Sequence, residues 1–188
     1  MPLLTTFGSI SVNNYEFNIL GSRRSYPSTE TNELTSSNGA ANNYFGTYVD
    51  FDSTGTIAIV GAYTKTIGSN TNRGAAYIFT NSGGTWSQAS ELLASDGATG
   101  DTFGYPVVLN DTGTIALIGA NNKNSSQGAA YVFTNSNGSW SQTTELIASD
   151  GVAGDSFGGS IAINSSGNIT IIGARNKNNK QGAVYIFD

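Results

Sequence analysis

The stretch Ser95–Phe133, SDGATGDTFGYPVVLNDTGTIALIGANNKNSSQGAAYVF, decides the fold. Val107 and Leu109 stand two apart, as apolar residues on one face of a half-buried strand do. Asp111-Thr112-Gly113 is a hairpin turn, and Thr114–Ala120, TIALIGA, is a continuous apolar run, the mark of a strand covered on both faces. Tyr131 and Phe133, again two apart, share one face of a third strand. A fourth, more polar strand follows with Trp140. The glycine spacing leaves no amphipathic helix.

Outward from this stretch the same pattern recurs. Phe45-Gly46, Phe103-Gly104 and Phe157-Gly158 each open a block whose Gly-Ala pair lies 16 residues after the Phe: Gly61-Ala62, Gly119-Ala120 and Gly173-Ala174. GAAYIF, GAAYVF and GAVYIF follow, with Tyr77, Tyr131 and Tyr185 at intervals of 54. The first block carries four extra residues between Ala62 and Gly74, in a polar stretch where loop insertions belong. Trp86 and Trp140 lie in the links that join the blocks, and a worn link, NELTSSNGAANNY, precedes Phe45 with Asn38 and Asn43 in place of Asp96/Asp150 and Asp101/Asp155.

A four-stranded unit repeated at this length is what radial β-propellers use, and one such sheet cannot bury both faces alone. The expectation is an all-β, β-propeller-like array of four-stranded antiparallel blades, with repeats at about 36–93, 94–147 and 148–188 and either an N-terminal anchor or a degenerate half-blade over 1–25. Residues 7–22 faintly repeat the first two strands, which would supply a degenerate fourth blade; the alternative is a segment that docks on another protein. The last block stops after its third strand, whereas residues 26–35 align with a fourth strand that has no block before it. That strand is expected to complete an open sheet, in the same chain or in a neighbour.

Composition narrows the chemistry. The 188 residues include no cysteine and no histidine, which removes the thiol nucleophile, the usual general base and almost every zinc, copper or haem site. Eight basic against 13 acidic residues give a net charge of −5, which argues against binding nucleic acid through its phosphates. The opening MPLLTTFGSISVNNYEF has neither a basic leader nor a long apolar run, so no secretory signal is expected, and no stretch approaches a membrane span.

The string from Ser95 to Phe133 resembles the FG-GAP repeat, the blade of integrin α-subunit propellers and of many microbial and phage surface proteins, in its bacterial-type variant with DGxxGDxFG before the first strand. The resemblance covers residues 33–188 three times over and implies a propeller blade and an interaction surface. The first eight residues, MPLLTTFG, also resemble the start of some marine-phage structural proteins. Calcium-binding members of the family carry D-x-D-x-D-G loops. Here the loops after Gly-Ala are Asn-rich and hold Lys65, Lys123 and Lys177, each three residues beyond the Ala, and a lysine opposes a bound dication.

Three sets of residues are candidates for a site. Asp96, Asp101, Asp150 and Asp155 would be oxygen ligands for calcium, against the commoner use of Asp-Gly as a self-capped turn; two acidic residues per loop fall short of the roughly six to eight ligands calcium takes. Lys65, Lys123 and Lys177 would form a basic arc on one rim, or stand as solvated loop lysines. Trp86 and Trp140 would be stacking platforms for glycans, or packing residues at the blade edge. No catalytic constellation is read from the sequence: there is no phosphate loop, and no His to activate Ser or Thr, the Ser156 of Gly154-Asp155-Ser156-Phe157-Gly158 included. The expected role is non-enzymatic and without cofactor. It is that of a structural or adhesive component of an extracellular assembly, a virion first and a bacterial cell surface or secreted adhesin second. Its partners would be other structural proteins of the assembly, further copies of itself, or a host-surface glycan or protein.

Overall fold

The computed structural model describes residues 29–188. The chain divides into compact units at Met1–Thr31 and Asn32–Asp188, and every strand below belongs to the second. The expectations placed on residues 1–25, and on the first three residues of segment 26–35, lie outside the described residues.

Each repeat folds into one antiparallel sheet. The first takes β1 (Val49–Phe51), β2 (Ile57–Ala62), β3 (Ala75–Ser82) and β4 (Thr85–Leu92), in that order. The second repeats it with β5 (Val107–Leu109), β6 (Ile115–Ala120), β7 (Ala129–Ser136) and β8 (Ser139–Leu146). The third has β9 (Phe157–Ile163), β10 (Thr170–Ala174) and β11 (Ala183–Phe187), with β10 central. Register repeats as closely as sequence: Ile57↔Thr80 to Ala62↔Ala75 in the first sheet corresponds to Ile115↔Thr134 to Ala120↔Ala129 in the second. Both outer pairs shift register at the same place, between Ile78/Phe79 and between Val132/Phe133.

The hairpins between the first two strands are closed by the Asx side chain that precedes each turn. Asp52 Oδ1 accepts from the backbone N–H of Thr56 and Ile57 at 2.8 and 2.9 Å. Asn110 Oδ1 does the same for Thr114 and Ile115, both at 2.9 Å, and Asn164 Oδ1 for Ile169 at 3.0 Å. Each loop thereby acquires a second closure beside its backbone bond.

Residues 29–36 form no strand, in contrast to the fourth strand expected over 26–35. The topology gives the reason: β4 and β8 each pair with the third strand of their own sheet, and among the described residues no sheet precedes 29–36 to offer one.

The sheets pack face to face. Ile59, Ala76 and Ile78 of the first meet Val107, Leu109, Ala116 and Ile118 of the second. Leu117, Ala130 and Val132 on the second sheet's other face meet Phe157, Ile161 and Ile172. β6 is thus buried on both sides, as its unbroken apolar run requires; burying each large aliphatic side chain contributes about 1.5–3 kcal/mol. β10 departs from the expectation: Ile172 is buried but Ile171 is 43% exposed, because no described sheet follows it.

Backbone contact sets the spacing between sheets. The N–H of Phe103 donates to Arg73 O at 3.0 Å, and that of Phe157 to Gln127 O at 3.1 Å. A Cβ on Gly74 would lie 2.0 Å from Phe103 O, and one on Gly128 2.0 Å from Phe157 O. Only glycine admits that approach, which is why the Phe-Gly motif of one repeat is matched by a glycine before the Tyr strand of the repeat before it. Gly128→Ala is therefore expected to cost about 3 kcal/mol or more in urea unfolding. Gly138→Ala, at a similar φ of 88° with open space around it, should cost about 1 kcal/mol. Equal losses in the two variants would contradict the close-approach argument.

Candidate functional site

The loop after each Gly-Ala pair curls tightly enough to turn its lysine inward. In the second and third repeats it makes a single four-residue helical turn, Lys123–Ser126 and Lys177–Lys180, in which Asn124 and Ser125, and likewise Asn178 and Asn179, take positive φ. Asn and Ser tolerate this better than a β-branched residue would. Lys65, Lys123 and Lys177 are each only 6% exposed, so the solvent-facing basic arc expected from their loop positions does not form.

Each ammonium lies instead against the link that leads into its own sheet. Lys123 Nζ is 2.6 Å from Asp96 Oδ2 and 3.8 Å from Asp101 Oδ2. Lys177 Nζ is 3.2 Å from both Asp150 Oδ2 and Asp155 Oδ2, and also donates to the carbonyl of Asp150. Lys65 Nζ donates to the carbonyl and Oδ1 of Asn38, both at 3.0 Å, with Glu91 Oε1 at 3.8 Å. The phenol of the third strand joins every cluster: Tyr77 donates to Asn38 Oδ1 at 2.8 Å, Tyr131 to Asp96 Oδ1 at 2.8 Å and Tyr185 to Asp150 Oδ1 at 2.7 Å. Asp101 and Asp155 in addition cap their own turns, accepting from the N–H of Ala98 and Val152 at 2.8 and 2.9 Å.

Two sets of candidates that the sequence treats separately, the lysines and the calcium-type aspartates, thus converge on one another. The lysine supplies the positive charge that the carboxylates would otherwise take from a bound cation. Among the described residues no group of three or more His, Cys, Asp or Glu side chains is placed to hold a metal ion. Burial alone would raise the Asp96 carboxyl, but bonds from Lys123 and Tyr131 outweigh it and hold the group below its ordinary value; burial and Asp96 push the Tyr131 phenol up. Bonds from Tyr185 and Lys177 hold Asp150 low in the same way.

Trp86 and Trp140 are half-buried, Trp86 against the apolar cluster on its own sheet and Trp140 against the cluster between the first two sheets.

A second site was not anticipated from sequence. The position after Gly-Ala is Tyr63, Asn121 and Arg175 in the three repeats, and the position after Phe-Gly is Thr47, Tyr105 and Gly159. These are places where an otherwise regular repeat breaks its own pattern. Four of the six gather in one cavity of about 270 Å³ lined by Tyr63, Thr102, Tyr105, Asn121, Asn122 and Arg175, with residues from all three repeats. Tyr105 packs edge-on against Tyr63 at 5.2 Å between ring centroids and against Tyr48 at 4.7 Å. Burial and the hydrogen bond with Tyr105 push the Tyr48 phenol up to about 12. Thr102 Oγ1 donates to Asn121 Oδ1 at 3.1 Å, which orients the amide in the wall. The cavity therefore offers one guanidinium, two phenols and two amides: donors and acceptors suited to a hydroxyl-rich or carboxylate-bearing group. The signal in the sequence was this divergence among copies.

Comparison with known proteins gives one family. The sequence profile described as FG-GAP repeat matches residues 28–79, 86–133 and 140–187. No curated protein matches the chain. Among solved structures, TolB from Acinetobacter baumannii superposes with a TM-score of 0.43 at 13% identity, over 75% of this chain and 29% of that one.

The lysine clusters predict an acid-sensitive fold. A carboxyl whose folded value is depressed contributes stability that is present above its unfolded value of about 3.8 and is lost as pH falls through the folded value. The Tm should fall on acidification below about pH 4, and the fall should be shallower in Asp96→Asn, the residue type the first repeat already carries at Asn38. Lys123→Met, which leaves buried Asp101 without its ammonium, is expected to lose about 3 kcal/mol in urea unfolding. Added calcium or chelator should leave the Tm unmoved; a calcium-dependent rise would show that metal competes with the ammonium for these oxygens.

Proposed function

The chain belongs to the FG-GAP repeat family, and we propose that it serves as a non-enzymatic binding module in an extracellular assembly. Rigidly stacked sheets would hold a ligand-recognising cavity at the point where the repeats diverge. The observation that carries this reading is the cavity of Tyr63, Tyr105, Asn121 and Arg175, built from non-repeating positions on a frame that otherwise repeats. A frame that needs only packing would keep the same residue at each equivalent position, whereas a ligand that touches three repeats at once asks something different of each. Arg175 brings a fixed positive charge to a chain of net charge −5, and the tyrosines bring flat, amphipathic surfaces that suit sugar rings. FG-GAP repeats are typical of extracellular or surface proteins, which supports placement outside the cell.

The assembly we favour is a virion, in which the protein would be a capsid decoration, tail or fibre component. This preference rests on the sequence of Met1–Gly8. The alternative is a bacterial surface or secreted adhesin, favoured by the exposed Asn- and Ser-rich turns at Asn122, Asn124, Ser125, Asn178 and Asn179. Mass spectrometry of purified particles from the source culture separates the two: recovery in virions at fixed stoichiometry supports the first, and recovery only from cell envelopes or medium supports the second.

For the cavity, a glycan array probed with the full chain should give binding that Arg175→Ala reduces at least tenfold and Tyr105→Ala abolishes. Trp86→Ala should leave binding unchanged. Binding that follows Trp86 and ignores Arg175 would move the site to the sheet edge.

A further inference from the structure

The two ends of the sheet stack carry the two halves of the interface that already occurs twice inside it. At each internal interface the second- and third-strand residues of one sheet meet the first strand of the next: Ile59, Ala76 and Ile78 meet Val107 and Leu109, and Leu117, Ala130 and Val132 meet Ile161. The equivalent residues on the outer face of the third sheet are Ile171, Val184 and Ile186, of which the last two are 62% and 69% exposed. The equivalent residues on the outer face of the first sheet are Val49 and Phe51, 66% and 67% exposed. Internal counterparts of these side chains, such as Ile59, Ile78 and Val107, are 0–3% exposed.

We infer that two copies of this chain associate head to tail, the third sheet of each covered by the first sheet of the other, closing one ring. The occupant is a second copy because one chain carries both complementary surfaces, and because each surface is already seen packed against a near-identical partner within the same fold. The described sheets of two copies number six, within the roughly four to eight that propellers use. A head-to-tail contact that closes leaves no apolar face open, whereas one that does not close grows into a filament.

The same docking would complete the open sheet. β11 is bonded only to β10 among the described strands. The second copy's Glu33 and Leu34, which align with Glu91 and Leu92 of β4, would arrive beside it, placing Glu33 near Tyr185 as Glu91 lies 3.3 Å from Tyr77. The backbone of Phe45-Gly46 would meet Gly182 and Gly173 as that of Phe103-Gly104 meets Gly74 and Gly61.

The test is the mass of the full chain in solution by light scattering at micromolar concentration, for wild type and for two single variants. The expected wild-type mass is twice the 19.5 kDa of one chain. Ile186→Lys and Phe51→Lys change side chains that are exposed in a single copy, so each should still fold, as judged by circular dichroism, yet run as a monomer or a weak dimer. Mixing the two variants restores one intact interface and should return dimers. A wild-type monomer overturns the proposal, as does an open ladder of higher masses. A dimer broken by Ile186→Lys but indifferent to Phe51→Lys overturns it too, because that pattern belongs to a two-fold contact between third sheets. None of these outcomes bears on whether the Arg175 cavity binds a glycan, so the two readings stand or fall separately.

Discussion

Everything in this fold depends on the approach of one backbone to another where a Phe-Gly pair enters a new sheet. The carbonyls of Phe103 and Phe157 sit where a Cβ on Gly74 or Gly128 would have to be, and the amides of the same Phe residues bond the preceding repeat's loop. That contact brings successive sheets within packing distance, and the aromatic ring then seals the join: Phe103 lies edge-on against Tyr131 at 5.5 Å and Phe157 against Tyr185 at 5.4 Å. Four motif residues, two of them glycines and two aromatic, therefore act together. The glycines permit the approach and the aromatics supply the burial that makes it favourable.

The lysine clusters show how a site can change its chemistry without changing its shape. A loop that presents two carboxylates and a phenol asks for a cation, and a lysine on a tight left-handed turn meets the demand from within the chain. The copies differ in how far they depend on charge. Asp96/Asp101 and Asp150/Asp155 give ion pairs, whereas Asn38 accepts the Lys65 ammonium with a carbonyl and an amide oxygen, Glu91 standing at 3.8 Å. The geometry persists across this exchange of carboxylate for amide because hydrogen bonds fix the positions and charge adds to them.

The repeated frame also makes its exceptions informative. A frame built by copying leaves each position equivalent, so Tyr63, Tyr105, Asn121 and Arg175 stand out against it, and they share one cavity. The apolar end faces stand out in the same way: Val49 and Phe51 at one end, Val184 and Ile186 at the other, repeat an interior pattern where the described chain offers no neighbour.

Local pattern alone specified most of the architecture. Strand alternation, the continuous run of Thr114–Ala120, the turn residues and the interval of 54 between tyrosines are short-range features. They yielded three antiparallel sheets and the incomplete third one. The destination of the lysines was not legible, because burial depends on partners 27 residues away in the preceding link, and a lysine in an Asn-rich loop reads as solvated. Nor was the cavity, whose walls come from three repeats and meet only once the sheets have stacked. Periodicity records what each residue needs from its own sheet; which side chains come together across sheets is decided by the approach of the backbones, and that exists only in the folded chain.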